Sequence, residues 1–178
     1  CSQSRGLGDV YKRQAPCRKA IKDALIVMMS GTENEMIDFI SNFRQEFKSL
    51  PPEEISFPRT VSDVVKYRGR NAIYEKGTPI HARGSLLFNH HIKRLKLEGK
   101  YSLIGNGEKV KFCYLRSPNP IHENVMSFIQ DFPREIGLEK YVDYDLQFEK
   151  SFLDPLKIIL DVIQWNVEKT TTLESFFL

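Results

Sequence analysis

The sequence predicts an α+β fold that is predominantly helical and includes a small part containing a β-hairpin. Two observations favour helices: residues 144–165 carry apolar side chains three or four positions apart, and residues 21–47 show the same spacing on both sides of Gly31. A third favours strands, because apolar residues alternate with polar ones after Asn106-Gly107. With 178 residues the chain has the size of one domain and can bury a core.

Residues 1–14, CSQSRGLGDVYKRQ, fit poorly with the rest of the chain, and DVYKRQ resembles the in-frame translation of a transposon-end sequencing adapter. We therefore expect this segment to be an artefact that is excluded from reasoning about the fold, with the biological chain beginning near Ala15, in mid-protein. A short disordered basic tail that contacts nucleic acid is the alternative.

A hairpin of two antiparallel helices is predicted next. Gly31 ends the first helix, and Thr32 and Glu35 have the spacing of a capping box that begins the second. The apolar stripes consist of Ile21, Ala24, Leu25 and Met28 in the first helix and of Met36, Ile37, Ile40, Phe43 and Phe47 in the second.

Proline interrupts the helical pattern after this hairpin. Pro51, Pro52 and Pro58 predict an irregular connector, and residues 61–67 are predicted to form a short helix.

Residues 68–83 are basic and punctuated by glycine, and could offer side chains and amides to phosphates. Their glycines are too isolated for a P-loop, so we assign no nucleotide site to them.

The segment GSLLFNHHIKRLKL predicts a helix whose Phe88, Ile92 and Leu95 point inward. A different face of this helix is polar and basic. It carries Asn89, Lys93 and Lys96, with Arg83 near its start. Such a face is commonly only solvated, but here it lies in the most positively charged part of the chain, which favours contact with phosphates.

Residues 100–104 and 109–115 predict a β-hairpin that turns at Asn106-Gly107. In its second strand Val110, Phe112 and Tyr114 alternate with Lys109, Lys111 and Cys113, so that one face is apolar and the other begins basic. Residues 125–129 predict a third strand, which a short helix ending near Gly137 follows.

The apolar residues of 144–165 define one broad helical face, which we expect to pack against the earlier segments. Pro155 cannot donate a hydrogen bond within a helix, whereas Asp154 is a good N-cap and proline suits the first helical position. We therefore predict two helical segments that meet at Asp154 and Pro155. The apolar face consists of Tyr144, Phe148, Phe152, Leu156, Ile159 and Ile163.

The net charge of +3 hides a strong asymmetry along the chain. Residues 59–116 contain 13 Lys and Arg against 4 Asp and Glu, whereas residues 117–178 contain 5 against 11. This asymmetry favours a polyanionic partner, such as nucleic acid, for the middle of the chain. A basic surface without a ligand is the alternative.

The sequence contains little that indicates catalysis. Cys1, Cys17 and Cys113 are isolated, so neither a disulfide framework nor a zinc site is predicted. No nucleophile elbow and no set of ligands for two metals is present, and Asp143 and Asp145 fit helix capping better than catalysis. No apolar run approaches the ~20 residues that span a bilayer. We predict no catalytic residue, no metal site and no membrane contact for this chain.

The end of the chain carries a separate signal. After the polar stretch NVEKTTT, Leu173, Phe176 and Phe177 stand at one-turn spacing beside Glu174. A terminal apolar cluster on a polar tether either folds back onto the core or docks into a groove on another protein. We favour docking.

Three segments stand out: KGTPIHARGSLLFNHHIKRL, GNGEKVKFCYL and YVDYDLQFEKSFLDPLKIIL. Together they resemble the C-terminal thumb of family B DNA polymerases from T-even-like bacteriophages. The resemblance extends from about Ala15 to the last residue. It implies a thumb domain over residues 15–168, largely helical with a small β-containing subdomain, and a clamp-binding tail over residues 169–178.

The resemblance also implies a function. A polymerase thumb grips primer–template duplex through its sugar-phosphate backbone without reading sequence, and its tail binds a sliding clamp. The implied DNA-binding residues are Arg83, Asn89 and Lys93, with Lys22 and Lys111 as weaker candidates, and the implied clamp-binding residues are Leu173, Phe176 and Phe177. The catalytic aspartates of such a nucleotidyltransferase, with Mg²⁺ and deoxynucleotides, lie upstream in the palm, and the enzyme works in the cytoplasm of the bacterial host. A stand-alone nucleic-acid-binding accessory protein with a partner-docking tail is the alternative.

Overall fold

A computed structural model describes residues 15–165 and 167. These residues form two compact units. The helical unit comprises the described parts of Cys1–Ile55 and Tyr144–Leu178, and the α/β unit is Ser56–Asp143. The expectations for residues 1–14 and for the clamp-binding tail lie outside the described residues, and a single domain over residues 15–168 stays a prediction.

A helical hairpin opens the helical unit, as the sequence predicts. Helix α1 (Ala15–Ser30) packs against helix α2 (Glu33–Lys48). The Thr32 hydroxyl accepts a hydrogen bond from the Glu35 N–H at 3.3 Å, which confirms the predicted N-cap. In the turn between the helices, a Cβ at Gly31 would lie 2.8 Å from the carbonyl oxygen of residue 27, so the tight connection requires glycine.

Aromatic rings form the core between α2 and the C-terminal helical segment. The Phe43 and Phe152 ring centroids are 4.8 Å apart, and those of Phe47 and Phe148 are 5.3 Å apart. The two pairs run in opposite directions along the chain, so the helices are antiparallel. A short helix α3 (Pro52–Ile55) follows α2 and contributes to the same core.

The C-terminal segment follows one continuous helical path, in which a new helix begins at Asp154 as predicted but without the predicted N-cap at this residue. Helix α5 (Tyr144–Phe148) leads into a π-helical turn (Glu149–Leu153) and then into helix α6 (Asp154–Val162). Asp154 has helical dihedral angles, φ −61° and ψ −49°, so it is not an N-cap. The wider hydrogen bonding of the π turn just before Pro155 accommodates the N–H that proline lacks.

The buried stripe of this path is slightly different from the predicted one. Phe148, Phe152 and Leu156 are fully buried as expected, and Leu160 rather than Ile159 continues the stripe. The exposed fraction of Ile163 is 37%. The extra residue that a π turn inserts rotates the following turns, which explains the change of inward positions.

A three-stranded antiparallel sheet with strand order β1-β2-β3 forms the centre of the α/β unit. The strands are β1 (Phe57–Thr60), β2 (Lys109–Tyr114) and β3 (Val125–Phe128). Helix α4 (Ile80–Arg94) packs against β3. The α+β class is confirmed, and so are β3 and a 3₁₀ turn (Arg134–Ile136) that ends at Gly137.

The predicted hairpin of residues 100–104 and 109–115 is wrong, although its turn is present. Strand β2 pairs with β1, which lies in the predicted irregular connector, and residues 100–104 form no strand. Pro58 is tolerated because β1 is an edge strand, where one side of the backbone needs no partner in the ladder. Ile104 cannot join a ladder because its N–H and carbonyl both bond the Asn89 side chain.

The predicted short helix over residues 61–67 is also wrong, because these residues form turns. The Val64 N–H donates to the Asn106 side-chain oxygen at 2.7 Å instead of to a helical carbonyl. The Gly107 N–H donates to the Val61 carbonyl at 2.6 Å, and Gly107 has a φ of 79°, which favours glycine. The Asn106-Gly107 turn therefore anchors residues 61–64 rather than closing a hairpin.

Among the described residues, no helix combines the length and the apolar character needed to cross a lipid bilayer.

Candidate nucleic-acid interface

The two units differ in charge. The α/β unit contains 15 Lys and Arg against 9 Asp and Glu, whereas the described part of the helical unit contains 7 against 11. Most Lys and Arg side chains of the α/β unit are exposed. A polyanion is therefore attracted to the α/β unit and repelled by the net charge of the helical unit.

Arg83 lies in the first turn of α4 and is held by its neighbours. One guanidinium nitrogen donates to the Asn124 side chain at 2.7 Å, and the guanidinium carbon is 5.7 Å from the centroid of the Tyr74 ring. The Tyr74 hydroxyl in turn donates to Glu123 at 2.8 Å. The Arg83 Nε is buried and finds no hydrogen-bond partner among the described residues. Arg83 is thus a half-buried, oriented cation.

Arg59 adds positive charge near the start of α4. Burial and, secondarily, the Arg59 charge hold the pKa of His81 below its ordinary value. The Arg59 guanidinium carbon lies 5.8 Å from the Phe112 ring centroid. Helix α4 begins after Pro79 without a side-chain cap. Sequence reasoning did not single out Arg59, although it lies at the beginning of the basic segment.

Asn89 has a structural role. Its Nδ2 donates to the Ile104 carbonyl at 2.9 Å, and its Oδ1 accepts from the Ile104 N–H at 2.7 Å. The side chain is 9% exposed, so it has little room to reach a phosphate. Contact between Asn89 and DNA stays a prediction, but the geometry favours a role in fixing the loop beside α4.

The other predicted DNA-binding residues occupy different places. Lys93 is exposed in the last turn of α4, one turn after Asn89. Lys111 is half-buried in the central strand β2, opposite Pro58 and Phe128. Lys22 is exposed on α1 in the helical unit, whereas the other four belong to the α/β unit. The structure therefore places three of the five candidates on α4: Arg83, Asn89 and Lys93.

His91 supports the last turn of α4 in its neutral form. Its Nδ1 accepts a hydrogen bond from the Arg94 Nε at 3.2 Å. Burial, followed by the charges of His90 and Arg94, lowers the pKa of His91 to about 4. A protonated His91 would lose its acceptor nitrogen and face a cation, so the helix end depends on the neutral imidazole.

We expect the stability of the α/β unit to fall as the pH drops from about 6.5 towards 4. The unfolded chain binds a proton at the ordinary pKa of histidine, whereas folded His91 resists protonation until about pH 4, so acid favours unfolding in this window. His91→Gln should flatten the pH dependence of the thermal midpoint across this range. His122→Gln, on an exposed loop residue, is the control and should leave the slope unchanged. An equal slope in the wild type and His91→Gln would contradict the role of His91.

The predicted capping role of the acidic pair fits its surroundings in part. Asp145 lies in the first turn of α5, and its carboxylate is 3.7 Å from the Lys48 ammonium. Such an exposed ion pair contributes little to stability. The absence of catalytic and metal-binding residues stays a prediction, and Leu173, Phe176 and Phe177 lie outside the described residues.

No protein-family model matches the chain. Two similar proteins are the DNA-directed DNA polymerase of Enterobacteria phage T4, 24% identical over 164 residues, and that of Escherichia phage RB69, 26% identical over 165 residues. Each alignment covers 90% of this chain and 18% of the relative, so the chain spans less than a fifth of the length of either polymerase. The resemblance to polymerases of T-even-like phages is confirmed at this level.

Proposed function

We propose that this chain is the C-terminal, thumb-like part of a family B DNA-directed DNA polymerase. We also propose that it grips primer–template duplex by contacting the sugar-phosphate backbone of the DNA. The similarity to two phage DNA polymerases over 90% of the chain carries this proposal. Nucleotidyl transfer itself is assigned to a palm elsewhere in the parent protein, where Mg²⁺ and deoxynucleotides bind. The setting is the cytoplasm of the bacterial host.

The charge distribution supports a grip that does not depend on sequence. The cations of the α/β unit lie on exposed loops, in strands and at both ends of α4, and Lys and Arg are the side chains that neutralise phosphates. Phosphate contacts position a duplex and add affinity but carry no sequence information directly.

Lys93 and Arg83 are the main proposed contacts, and we add Arg59 as a third. Lys93 is exposed, and Arg83 is oriented by Asn124 and Tyr74. Asn89 is proposed to act through the loop that it holds, and Lys111 and Lys22 remain weaker candidates.

Replacing Lys93 by Ala should weaken duplex binding by a similar factor on two unrelated sequences. The plot of log affinity against log salt concentration should become shallower by about 0.9, because one phosphate contact is lost. Fluorescence anisotropy of labelled duplexes, titrated with the full chain at several salt concentrations, measures both quantities. Arg83→Lys, which keeps the charge but not the hydrogen-bond geometry, should have a smaller effect on the salt slope.

Lys48→Ala is the matched control for this experiment. It also removes one exposed lysine, but from the helical unit, whose described part is net negative. It should leave the salt slope unchanged. If Lys93→Ala weakened binding to only one of the two sequences, backbone gripping would be contradicted.

The tail is proposed to bind a sliding clamp through Leu173, Phe176 and Phe177. Removing residues 173–178 from the parent polymerase should abolish the gain in product length that the clamp gives, while duplex binding without clamp is unchanged. The expected reason is the loss of three apolar anchors, since a few anchors dominate such interfaces. Primer extension on long templates, with and without clamp, measures the effect.

Glu174→Ala is the control for the tail, because it alters the segment but keeps the three apolar side chains. Undiminished clamp-dependent synthesis after the deletion would count against the tail assignment. The coding sequence upstream of Ala15 distinguishes a polymerase from a stand-alone accessory protein, since only the former should encode a palm with metal-binding aspartates.

A further inference from the structure

Helix α6 exposes an apolar stripe along one of its sides. At 3.6 residues per turn, positions 155, 158, 159 and 162 lie beside one another on a helix. Ile158 is 71% exposed and Val162 is 79% exposed, whereas Leu156 and Leu160 are buried on the neighbouring side. We call this exposed surface the α6 stripe, and it consists of Pro155, Ile158, Ile159 and Val162.

The α6 stripe is distinct from the polar side of the helix. Asp154, Lys157 and Asp161 recur three and four residues apart, which places them on the other flank of the buried side. A surface helix ordinarily confines its apolar residues to the side that faces the core. In α6 the apolar side chains extend beyond the buried side, so the stripe would be stabilised by another apolar surface that removes it from water.

The chain leaves the axis of α6 as soon as the helix ends. Gln164 has a φ of 61°, in the left-handed region, and the Trp165 backbone N–H donates to the Leu160 carbonyl at 3.1 Å. A left-handed residue with this 6→1 hydrogen bond ends a helix and redirects the chain. Val167, the last described residue, is buried and belongs to the helical unit. Residues 168–178 therefore start from the same unit that carries the α6 stripe.

Residues 168–178 are long enough to reach the α6 stripe. Leu173 is six positions after Val167, and a chain spans up to about 3.3 Å per residue, or about 20 Å over this distance. The stripe is only about 10 Å long, because a helix rises 1.5 Å per residue. Leu173, Phe176 and Phe177 stand at positions i, i+3 and i+4, which one side of a helical turn can present together.

We propose that Leu173, Phe176 and Phe177 dock on the α6 stripe when no clamp is bound, so that the chain covers its own clamp-binding residues. The regulatory part rests on the proposed function, because it assumes that the tail binds a clamp. A tethered segment has a high effective concentration, which favours the tail over a free partner. A second copy of the chain fits less well, since four side chains offer far less than the ~800 Å² per partner that stable interfaces bury.

A clamp then has to displace the tail from the α6 stripe. Only chains whose tail is free can bind the clamp, so the apparent clamp affinity is reduced in proportion to the free fraction. A contact that opens for a partner is weak and adds little to the free energy of unfolding. It is therefore measured at the stripe itself and not by global unfolding.

Methyl NMR of the full chain tests the contact. A phenylalanine ring on the α6 stripe should shift the Ile158 methyl signal upfield, and removal of residues 173–178 should abolish this tail-dependent shift. The Ile104 methyl is the control and should not move, because Ile104 is buried in the α/β unit. An identical Ile158 signal in both chains would overturn the proposal. A shift that grows with protein concentration would assign the stripe to a second copy and would also overturn it.

Two variants locate the contact on the helix. Val162→Gln makes the α6 stripe more polar, and Asp161→Gln places the same side chain on the polar side of α6. Both positions are exposed, so neither substitution should disturb the core. Each variant is compared with and without residues 173–178. Val162→Gln should remove most of the tail-dependent shift at Ile158, and Asp161→Gln should retain it. The reverse result would overturn the placement of the tail on the stripe.

Clamp binding is the second readout, with the sliding clamp of the parent polymerase as the probe. Val162→Gln should raise the clamp affinity of the full chain by about threefold or more, whereas Asp161→Gln should leave it unchanged. If Val162→Gln removed the tail-dependent shift without raising the clamp affinity, the covering role would be overturned. Absence of clamp binding in the wild type and in both variants would overturn the proposed clamp function and the regulation built on it. The NMR comparison would then still decide whether the tail docks.

Discussion

Replacing Phe152 by Ala is expected to lower the free energy of unfolding of the helical unit by about 3–5 kcal/mol. Phe152 is fully buried, and its ring lies 4.8 Å from the Phe43 centroid and 5.2 Å from that of Phe148. Truncation removes these contacts and leaves a cavity among rings that three helical segments hold in place. Because the total stability of a domain is about 5–15 kcal/mol, the variant should be close to unfolding.

Trp165 makes this loss measurable within one unit. It is the single tryptophan of the chain and follows α6 in the helical unit, where its backbone N–H donates to the Leu160 carbonyl at 3.1 Å. Urea titration followed by tryptophan fluorescence therefore reports on the helical unit. Ile158→Ala, at a side chain that is 71% exposed, is the control and should cost little. A loss below about 1 kcal/mol for Phe152→Ala would contradict the aromatic core.

Replacing Gly84 by Val is expected to destabilise the α/β unit by about 3 kcal/mol or more. At this point α4 lies directly on β3: a Cβ at Gly84 would be 2.4 Å from the Ser127 Oγ and 2.9 Å from the Ser127 N. The hydroxyl can rotate away, but the backbone nitrogen belongs to the strand and cannot. The helix must therefore move off the sheet, which also breaks the hydrogen bond from the Ser127 hydroxyl to the His81 carbonyl at 3.0 Å.

Hydrogen exchange of peptides from α4 and β3 measures this effect. Gly99→Val is the control, because a Cβ at Gly99 meets nothing within 4 Å. A comparison of Gly84→Ala alone with the double variant Gly84→Ala and Ser127→Ala separates the contact with the Ser127 Oγ from the contact with the Ser127 backbone nitrogen. Removing the Oγ should restore part of the protection, and the contact with the backbone nitrogen should keep the rest from returning. Unchanged exchange in Gly84→Val would show that the helix and strand are not closely packed.

Features that depend on neighbouring residues could be predicted from the sequence. The Thr32 cap, the turn at Gly31 and the stripe of α2 need only local geometry, and the structure confirms them except for Ile37, which is half-buried. The 3₁₀ turn that ends at Gly137 belongs to the same class, because its glycine adopts a φ of 80°. Such signals are complete within a few residues.

Pairing between distant segments could not be predicted in this way. One of the two partners of β2 is β1, about 50 residues earlier, and Pro58 in β1 is a signal against a strand. The nearer candidate was residues 100–104. There the Ile104 N–H and carbonyl form hydrogen bonds with the Asn89 side chain of α4, so they are not available for strand pairing. An asparagine that binds a remote backbone leaves no periodic trace in a sequence.

In the candidate interface, too, local features could be predicted from the sequence and contacts between distant segments could not. Charge counting located the basic part of the chain, and Lys93 is exposed as a phosphate contact requires. Asn89 lies on the same helix, but its burial depends on the loop that packs above it. The effect of the Arg59 charge on the pKa of His81 depends on how β1 and α4 are arranged within the α/β unit, so helical spacing could not reveal it.

The order of the units along the chain has a consequence for synthesis on the ribosome. The α/β unit, Ser56–Asp143, is inserted between the two parts of the helical unit. Helices α1 and α2 leave the exit tunnel before the inserted unit, yet the aromatic partners Phe148 and Phe152 are translated only after the whole of it. The inserted unit can therefore complete its core while the earlier helices still lack theirs, and the apolar stripe of α2 stays a substrate for chaperones during that interval.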